Sequence, residues 1–508
     1  MRPQTQVTGL SAVMTTVAMA LGSAVAVGDL RILATNISIV RHGLRFSPST
    51  TIFVSSLATL TLAASVLGAG VLGDKYGMRR TFTVGACGAV AFGLIGAAAP
   101  NVAVLMIARA CIGVAFAFLA GLSLAIMNAV FPPDRRAGAI ASYLAAVYAF
   151  GVLPATVGSL LAEHIGWRSG LLVTPVLASL VLVLTVRYVP ETPRSHRKTD
   201  IPGLLLVAIA LIGVTYGISV LQNGVDRAAM APILTGVLAA AAFVWWELRC
   251  DDPALDLRIF RSPRFNAVVT AGAASNLVQG GSMIMVTFYL ILIRGQSTWA
   301  FALLLVPATL LSALAALGAG RAAARFGNCA VVVAGLSVLA ASLLVRLSFT
   351  IDTSIIVVGA VVALTTIGGA IVQTPQATVM MSSAPPNLGG VVSAVKASVG
   401  GTFYGLGSAL FSMFGILFFI RDAEPKLAGS GISARQAGDI LGATGNGAGG
   451  ATLDPERTAW VISQATSSML DAADALNLIM TVIPLTAIAV ALVLFRRERD
   501  APPVSQFS

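Results

Sequence analysis

Apolar runs of about 20 residues, the length a helix needs to cross a hydrocarbon core of about 30 Å, alternate along this chain with short polar joins. Such runs are predicted near 11–39, 51–72, 82–99, 102–130, 138–162, 169–189, 202–221, 231–247, 265–292, 298–320, 329–349, 353–381, 390–420 and 472–495, fourteen in all. They exceed what a barrel strand needs and show no period-two alternation, so each is read as a helix. Composition agrees, because a chain of 508 residues with only 10% charged side chains has too little polar surface for a water-soluble domain of that length. The expected fold class is all-α integral membrane. One long polar interval, 421–471, interrupts the pattern. Its glycine-rich stretch reads as a mobile outer loop before the last helix, with Ser433 and Gln436 placed to cap a short helix and Asp454-Pro455-Glu456 to open another.

The net charge of +11 is a topology signal. With the N-terminus inside, the joins on the cytoplasmic face hold nearly twice as many Lys and Arg, among them Arg2, Lys75, Arg79, Arg80, Arg135, Arg136, Arg197, Lys198 and Arg497, as the opposite face, where Arg168, Arg294 and Arg346 are assigned. Both termini are therefore expected in the cytoplasm, and the short joins with one compact charge motif suggest, as a likeness and not a derivation, a cytoplasmic (inner) membrane of bacterial type. Bases scattered over short joins do not form the single soluble face that nucleic acid requires. The four cysteines and three histidines, His42, His164 and His196, show no metal-ligand or catalytic spacing, so no metal, no cofactor and no enzymatic reaction are expected. Arg2, an apolar stretch and Ala24-Val25-Ala26 look like a secretory signal with a small-residue cleavage site, yet thirteen further apolar runs favour retention of the first helix.

Chemistry concentrates in a few places. Gly70-Val71-Leu72-Gly73-Asp74-Lys75-Tyr76-Gly77-Met78-Arg79-Arg80 sets an acid and three bases in a tight turn between two apolar runs; its glycines suit a turn and close helix approach, and its charges a latch at the membrane rim. Arg109 lies in the middle of the fourth run, where a guanidinium costs several kcal/mol unless it meets water, a carboxylate or carbonyls. Asp29 is read as the one acid clearly inside a run. Loss of water favours its protonated form and a nearby cation its carboxylate. Arg31, two places on, points away from Asp29 on a helix, which leaves it to pair across helices or to face an anionic substrate group. Asn36, Asn276, Gln279, Gln373 and Gln376 are polar groups at depth, readable equally as lining a substrate cavity or as packing hydrogen bonds. Lys396 is read as reaching to the cytoplasmic rim.

The Gly70 to Arg80 segment resembles the signature G-x-L-a-D-R-x-G-R-[RK] of the major facilitator superfamily, with Met78 where a base is usual. Arg109 with Gly113 resembles the arginine motif of its fourth helix. Gly151, Pro154 and Gly158 in FGVLPATVG look like an eroded form of the antiporter motif G-x-x-x-G-P-x-x-G-G, with Ala149, Leu153 and Val157 at glycine positions. GDLRILATNISIV, DDPALDLRIFRSPRF and the glycine-rich 365–401 stretch are similar to the fourteen-helix drug:proton antiporter (DHA2-like) branch. Gly318 to Gly327 resembles a decayed copy of the first charge loop, with Ala324 at the aspartate position.

The resemblance implies the major facilitator fold, with fourteen transmembrane helices arranged 6 + 2 + 6. Residues 1–189 would form an N-terminal six-helix bundle, 190–250 two linker helices and 251–508 a pseudo-symmetric second bundle that includes the outer loop 421–471. It also implies secondary active export of lipophilic or amphiphilic small molecules by proton antiport, with the proton gradient in place of a cofactor. Asp29, Arg31 and Arg109 would couple to the proton, Gly70, Asp74, Lys75, Gly77, Arg79 and Arg80 would gate, and the protein would act as a monomer among membrane lipid. A lipid or amphiphile transporter, an uncoupled facilitator and a transport-dead sensor or scaffold stay open beside it.

Overall fold

A computed structural model describes residues 7, 9–194, 200–221, 227–250, 252–296, 298–384, 388–428, 430–445 and 454–500. Arg2, His196, Arg197, Lys198 and part of the glycine-rich interval, 446–453, lie outside them. The described residues form sixteen α-helices and no strand. The first seven are α1 (Gly9–Leu44), α2 (Pro48–Tyr76), α3 (Met78–Ala97), α4 (Val102–Val130), α5 (Arg136–Gly151), α6 (Leu153–His164) and α7 (Trp167–Tyr188). After α8 (Ile201–Leu221) and α9 (Arg227–Glu247) come α10 (Pro263–Thr287), α11 (Thr298–Phe326), α12 (Asn328–Arg346), α13 (Ile355–Ser382), α14 (Gly389–Lys426), α15 (Ala434–Gly445) and α16 (Pro455–Asp500).

Thirteen helical segments are long and apolar enough to cross a membrane, and α8 is apolar over Ile201–Gly217. The fifth apolar run is one span made of two helices. It breaks at Val152 between α5 and α6, because Pro154 has no N–H for the carbonyl of Phe150 and its ring crowds that oxygen. The molecule buries Phe82, Phe116 and Phe265 inside and also turns Ile107, Val176 and Leu314 outward, so its exterior is as apolar as its core, as contact with lipid allows.

Six spans precede α8 and α9 and six follow. α8 packs on α9 and also on α2 and α14, while α2 meets α14 and α5 meets α11 across the two groups. The decayed repeat is visible in the backbone. α2 ends at Tyr76 and α3 starts after Gly77 at φ 100°, and α11 ends at Phe326 and α12 starts after Gly327 at φ 85°; both turns need the left-handed region that glycine enters freely. In each copy a base sits over the aromatic ring that ends the helix, Lys75 at 5.5 Å from Tyr76 and Arg325 at 5.2 Å from Phe326.

Three expectations are corrected. The interval 421–471 is mostly folded: α14 runs on to Lys426, α15 occupies its middle, and α16 begins at Pro455 and continues for 46 residues, about 69 Å and far longer than the bilayer core. Apolar side chains organise it, since Phe419, Ala423, Leu427, Ala437, Leu441, Val461 and Ala465 share one buried cluster. Ser433 and Gln436 close a reciprocal cap at the start of α15, with N–H to oxygen distances of 2.9 and 3.3 Å. Arg346, assigned to the outer side, is instead buried at the end of α12. Lys396 does not reach for a rim; its Nζ donates to Gln373 Oε1 at 3.0 Å.

The folded interval is fastened by Lys426, which lies 2.6 Å from Asp422 and 2.7 Å from Asp471 and donates to Ser467 Oγ at 2.9 Å. Replacing Lys426 with Met removes two exposed pairs worth together about 1 kcal/mol. Amide hydrogen exchange in α15 and the first turns of α16 should rise about fivefold while α4 is unchanged; equal exchange in both proteins would show that the apolar cluster alone holds the cap.

Candidate functional site

Asp29 sits where α1, α4 and α7 meet and is 1% exposed. Its Oδ2 accepts from Arg109 Nη1 at 2.5 Å and its Oδ1 from the Thr174 hydroxyl at 2.6 Å. Arg109 is 3% exposed, and its Nε and Nη2 have no hydrogen-bond partner. The pair is thus satisfied on the acid and half satisfied on the base. A guanidinium holding its partner by one arm keeps two donors for another, so neutralising the acid removes the chief reason for it to stay. Arg31 is half-buried and is not among the partners of Asp29.

The eroded glycine motif packs on this site. A Cβ on Gly28 would fall 2.6 Å from Pro154, and one on Gly158 would fall 2.6 Å from Ile32, so α6 seats directly against the turn of α1 that carries Asp29. Gly151, by contrast, faces open space. Asn36 is committed to the same junction, donating to its own helix at Ile32 O, 2.8 Å, and to Ser159 Oγ on α6, 3.1 Å. That is the packing role rather than a cavity wall.

The other polar groups at depth gather among α10, α13 and α14. Asn276 donates to Gly272 O at 2.7 Å and Gln279 to Ser275 O at 3.3 Å, both within α10. The side chain of Gln279 lies against Gly369 of α13, and that of Gln376 against Gly272 of α10. Gln376 is 1% exposed, and neither its Oε1 nor its Nε2 has a partner. Gln373, which accepts from Lys396 on α14, completes the group. The structure does not bring these residues to Asp29; they belong to the other six-helix set.

The charge loop bridges the two sets. Asp74 Oδ1 accepts from the backbone N–H of Gly390 at 2.8 Å and its Oδ2 from that of Val391 at 3.1 Å. These are unsatisfied donors at the start of α14, where the helix dipole favours an anion. Backbones touch behind it: a Cβ on Gly70 would fall 2.6 Å from Gly390 O. Met78, the departure from a base, is buried, and its methyl lies against Gly389, so it seals the crossing with apolar surface. The two arginines of the loop turn to their own side of the crossing. Arg80 Nε is 3.4 Å from Glu191 Oε2, Arg79 donates to Val186 O at 2.6 Å, and Thr192 accepts from the Met78 N–H at 2.8 Å, capping α3 from 114 residues away.

Sequence reasoning missed Thr174, Glu191, Thr192 and Arg346. Thr174 is the one polar residue of LLVTPVL ahead of Pro175, and Arg346 falls inside the predicted run 329–349; those were the available signals.

A family model described as Major Facilitator Superfamily matches residues 19–412. The chain belongs to the Major Facilitator Superfamily. Superfamily relatives include the multidrug efflux pump LfrA of Mycolicibacterium smegmatis, 27% identical over 92% of this chain and 93% of its own length. Another is the tetracenomycin C resistance and export protein of Streptomyces glaucescens, 29% identical over 97% and 93%. Solved superfamily structures share the fold at lower identity. The human organic anion transporter MFSD10 has a TM-score of 0.57 and 13% identity, covering 93% of this chain and 99% of that one. The proton:xylose symporter XylE has 0.55 and 16%, covering 86% and 94%. The chain is accordingly a transporter and not an enzyme.

Two predictions follow from the geometry. Asp29→Leu strands a buried guanidinium and should lower stability by about 3–5 kcal/mol, whereas Asp29→Leu with Arg109→Met should recover most of the loss; additive losses in thermal unfolding would mean the two are not energetically coupled. Asp74→Ala removes two charge-assisted bonds, each worth about 1.5–3 kcal/mol, a population shift of about a hundredfold or more. Spin labels at the exposed positions Tyr76 and Phe326, with the four native cysteines replaced by serine, should then report a longer-distance population, and an unchanged distribution would deny the latch its role.

Proposed function

We propose that this protein exports lipophilic or amphiphilic small molecules from the cytoplasm across the cytoplasmic membrane by proton antiport, as a monomer with both termini inside. The observation that carries the reading is the Asp29 carboxylate, dehydrated between three helices and held by one arm of Arg109 and one hydroxyl. A proton delivered from outside cancels the charge that holds Arg109. The freed guanidinium turns its unpartnered Nε and Nη2 to other acceptors, and the packing of α1 on α6 through Gly28, Pro154 and Gly158 changes with it. The charge-loop latch, the cytoplasmic gate in this orientation, opens when Asp74 leaves the start of α14. Export of drugs is supported by the named activities of the LfrA and tetracenomycin C relatives. The proton gradient is the only coupling agent the cycle requires.

A second reading, transport of amphiphiles with an anionic head, is favoured by one observation: Lys396 extends into the α13–α14 contact to Gln373, which leaves a cation near the polar group of the second bundle.

The test uses the purified chain in phosphatidylcholine vesicles with an imposed pH gradient and ethidium as a lipophilic-cation probe. Gradient-driven ethidium movement should fall at least tenfold in Asp29→Asn. Movement that persists without a gradient, or that Asn supports equally well, would replace antiport with facilitation.

A further inference from the structure

The second bundle carries a buried cation that the transport cycle above does not use. Arg346, 3% exposed at the end of α12, donates to Thr365 Oγ1 at 2.9 Å and makes a long contact with Ser282 O at 3.4 Å. Its Nε has no partner, and among the described residues no carboxylate lies within ion-pair distance. A guanidinium held only by neutral oxygens at this depth is unusual, because its desolvation is not offset by an opposite charge.

The missing charge lies across a small cavity of about 20 Å³, lined by Arg346, Asp474, Asn477, Tyr289, Phe349 and apolar neighbours. That volume holds about one water molecule, which needs two to four polar partners. The lining offers them: the orphaned Arg346 Nε–H as donor, the unpartnered Asn477 Oδ1 as acceptor, and the half-buried Asp474 carboxyl. Asp474 falls in the last apolar run, 472–495, as an acid within a span that sequence reading passed over. The wall formed by Tyr289 is a π-helical turn, Phe288–Ile293, a departure from α-geometry that recurs at functional sites.

We propose that this cavity is a second proton-binding site, at which Asp474 exchanges a proton with the outer solution and, once ionised, draws the Arg346 guanidinium from Thr365 into the cavity. The proton comes from and returns to outer water, and no other covalent bond changes. Charged and titratable groups on the neighbouring elements have partners of their own. On α16, Asp471 is bound to Lys426 of α14, which also holds Asp422. Arg294, at the end of the π-helical turn, donates to the carbonyls of Ile351 and Thr353, and the Tyr289 hydroxyl donates to Thr350 O at 2.7 Å. Arg346 is the cation that shares the lining of the cavity with Asp474. Switching it frees Thr365, which bonds to Ser342 Oγ at 3.0 Å and Val361 O at 2.9 Å, so proton binding is passed to the contact between α12 and α13.

The experiment is an infrared titration of the purified full chain in maltoside micelles, which carry no carbonyl, between about pH 4 and about pH 9. Asp474→Asn should remove one component of the protonated-carboxyl band, distinct from the component that Asp29→Asn removes, so this proposal and the antiport reading fail separately. Arg346→Gln takes away the cation that favours the carboxylate and should raise the proton affinity of Asp474 about tenfold or more. If that variant does not elute as a single folded species, the wild-type chain with isotope-labelled arginine decides: its guanidinium bands should shift with the Asp474 midpoint and cease to shift in Asp474→Asn. A carboxyl band unchanged by Asp474→Asn overturns the site. A midpoint indifferent to Arg346→Gln, or guanidinium bands that do not follow Asp474, overturns the switch.

Discussion

A charge placed inside a membrane bundle has no water to turn to, so its neighbours in the protein decide both where it sits and when it moves. Among the described residues, the Asp29–Arg109 contact is the ion pair on which this constraint bears most directly. The two side chains tie α1 to α4, and Thr174 ties the same carboxylate to α7. Three helices therefore share one anion. Their relative position depends on its protonation far more than a contact among leucines would, because apolar packing inside lipid lacks the hydrophobic driving force it has in water.

The same physics governs the other end of the molecule in a different form. Asp74 accepts from two peptide N–H groups at the start of α14. A helix terminus offers about half a charge and two good donors, enough to hold a buried carboxylate and weak enough to release it. Close backbone approach at Gly70 and Gly390 supplies the remaining contact, and Met78 fills it with flexible apolar surface. A base at 78 would have brought a charge into that dry crossing. The departure from the family pattern thus suits a junction in which the loop's arginines serve their own side and one carboxylate joins the two.

The helices could be read from the sequence because lipid imposes one length and one polarity on every span, and the charge loop because an acid and bases between glycines have few other uses. What escaped the reading depends on partners remote in sequence. That Asp29 meets Thr174, 145 residues away, or that Thr192 caps α3, requires knowing which helices touch. The interval 421–471 misled for another reason. Its glycines and polar residues describe a loop by composition, but Phe419, Leu427, Leu441 and Val461 are spaced to form a core only once α14 and α16 have brought them together. Arg346 and Lys396 misled because a base near a helix end is ordinarily at the interface; here the ends of α12 and the interior of α14 are covered by neighbours.

The two bundles answer the buried-charge problem unequally, and the inequality has a direction. In the first, a carboxylate is fully engaged and the guanidinium has arms to spare. In the second, a guanidinium is held by neutral oxygens while an acid and an amide oxygen stand across a cavity the size of a water molecule. A fully engaged carboxylate resists change until a proton arrives, and an underpaired guanidinium changes with little resistance. Placed at Asp29 and at Arg346, these opposite settings would make the first bundle the one that commits the molecule to a conformation and the second the one that adjusts to it, although both descend from the same six-helix plan that the Gly77 and Gly327 turns still record.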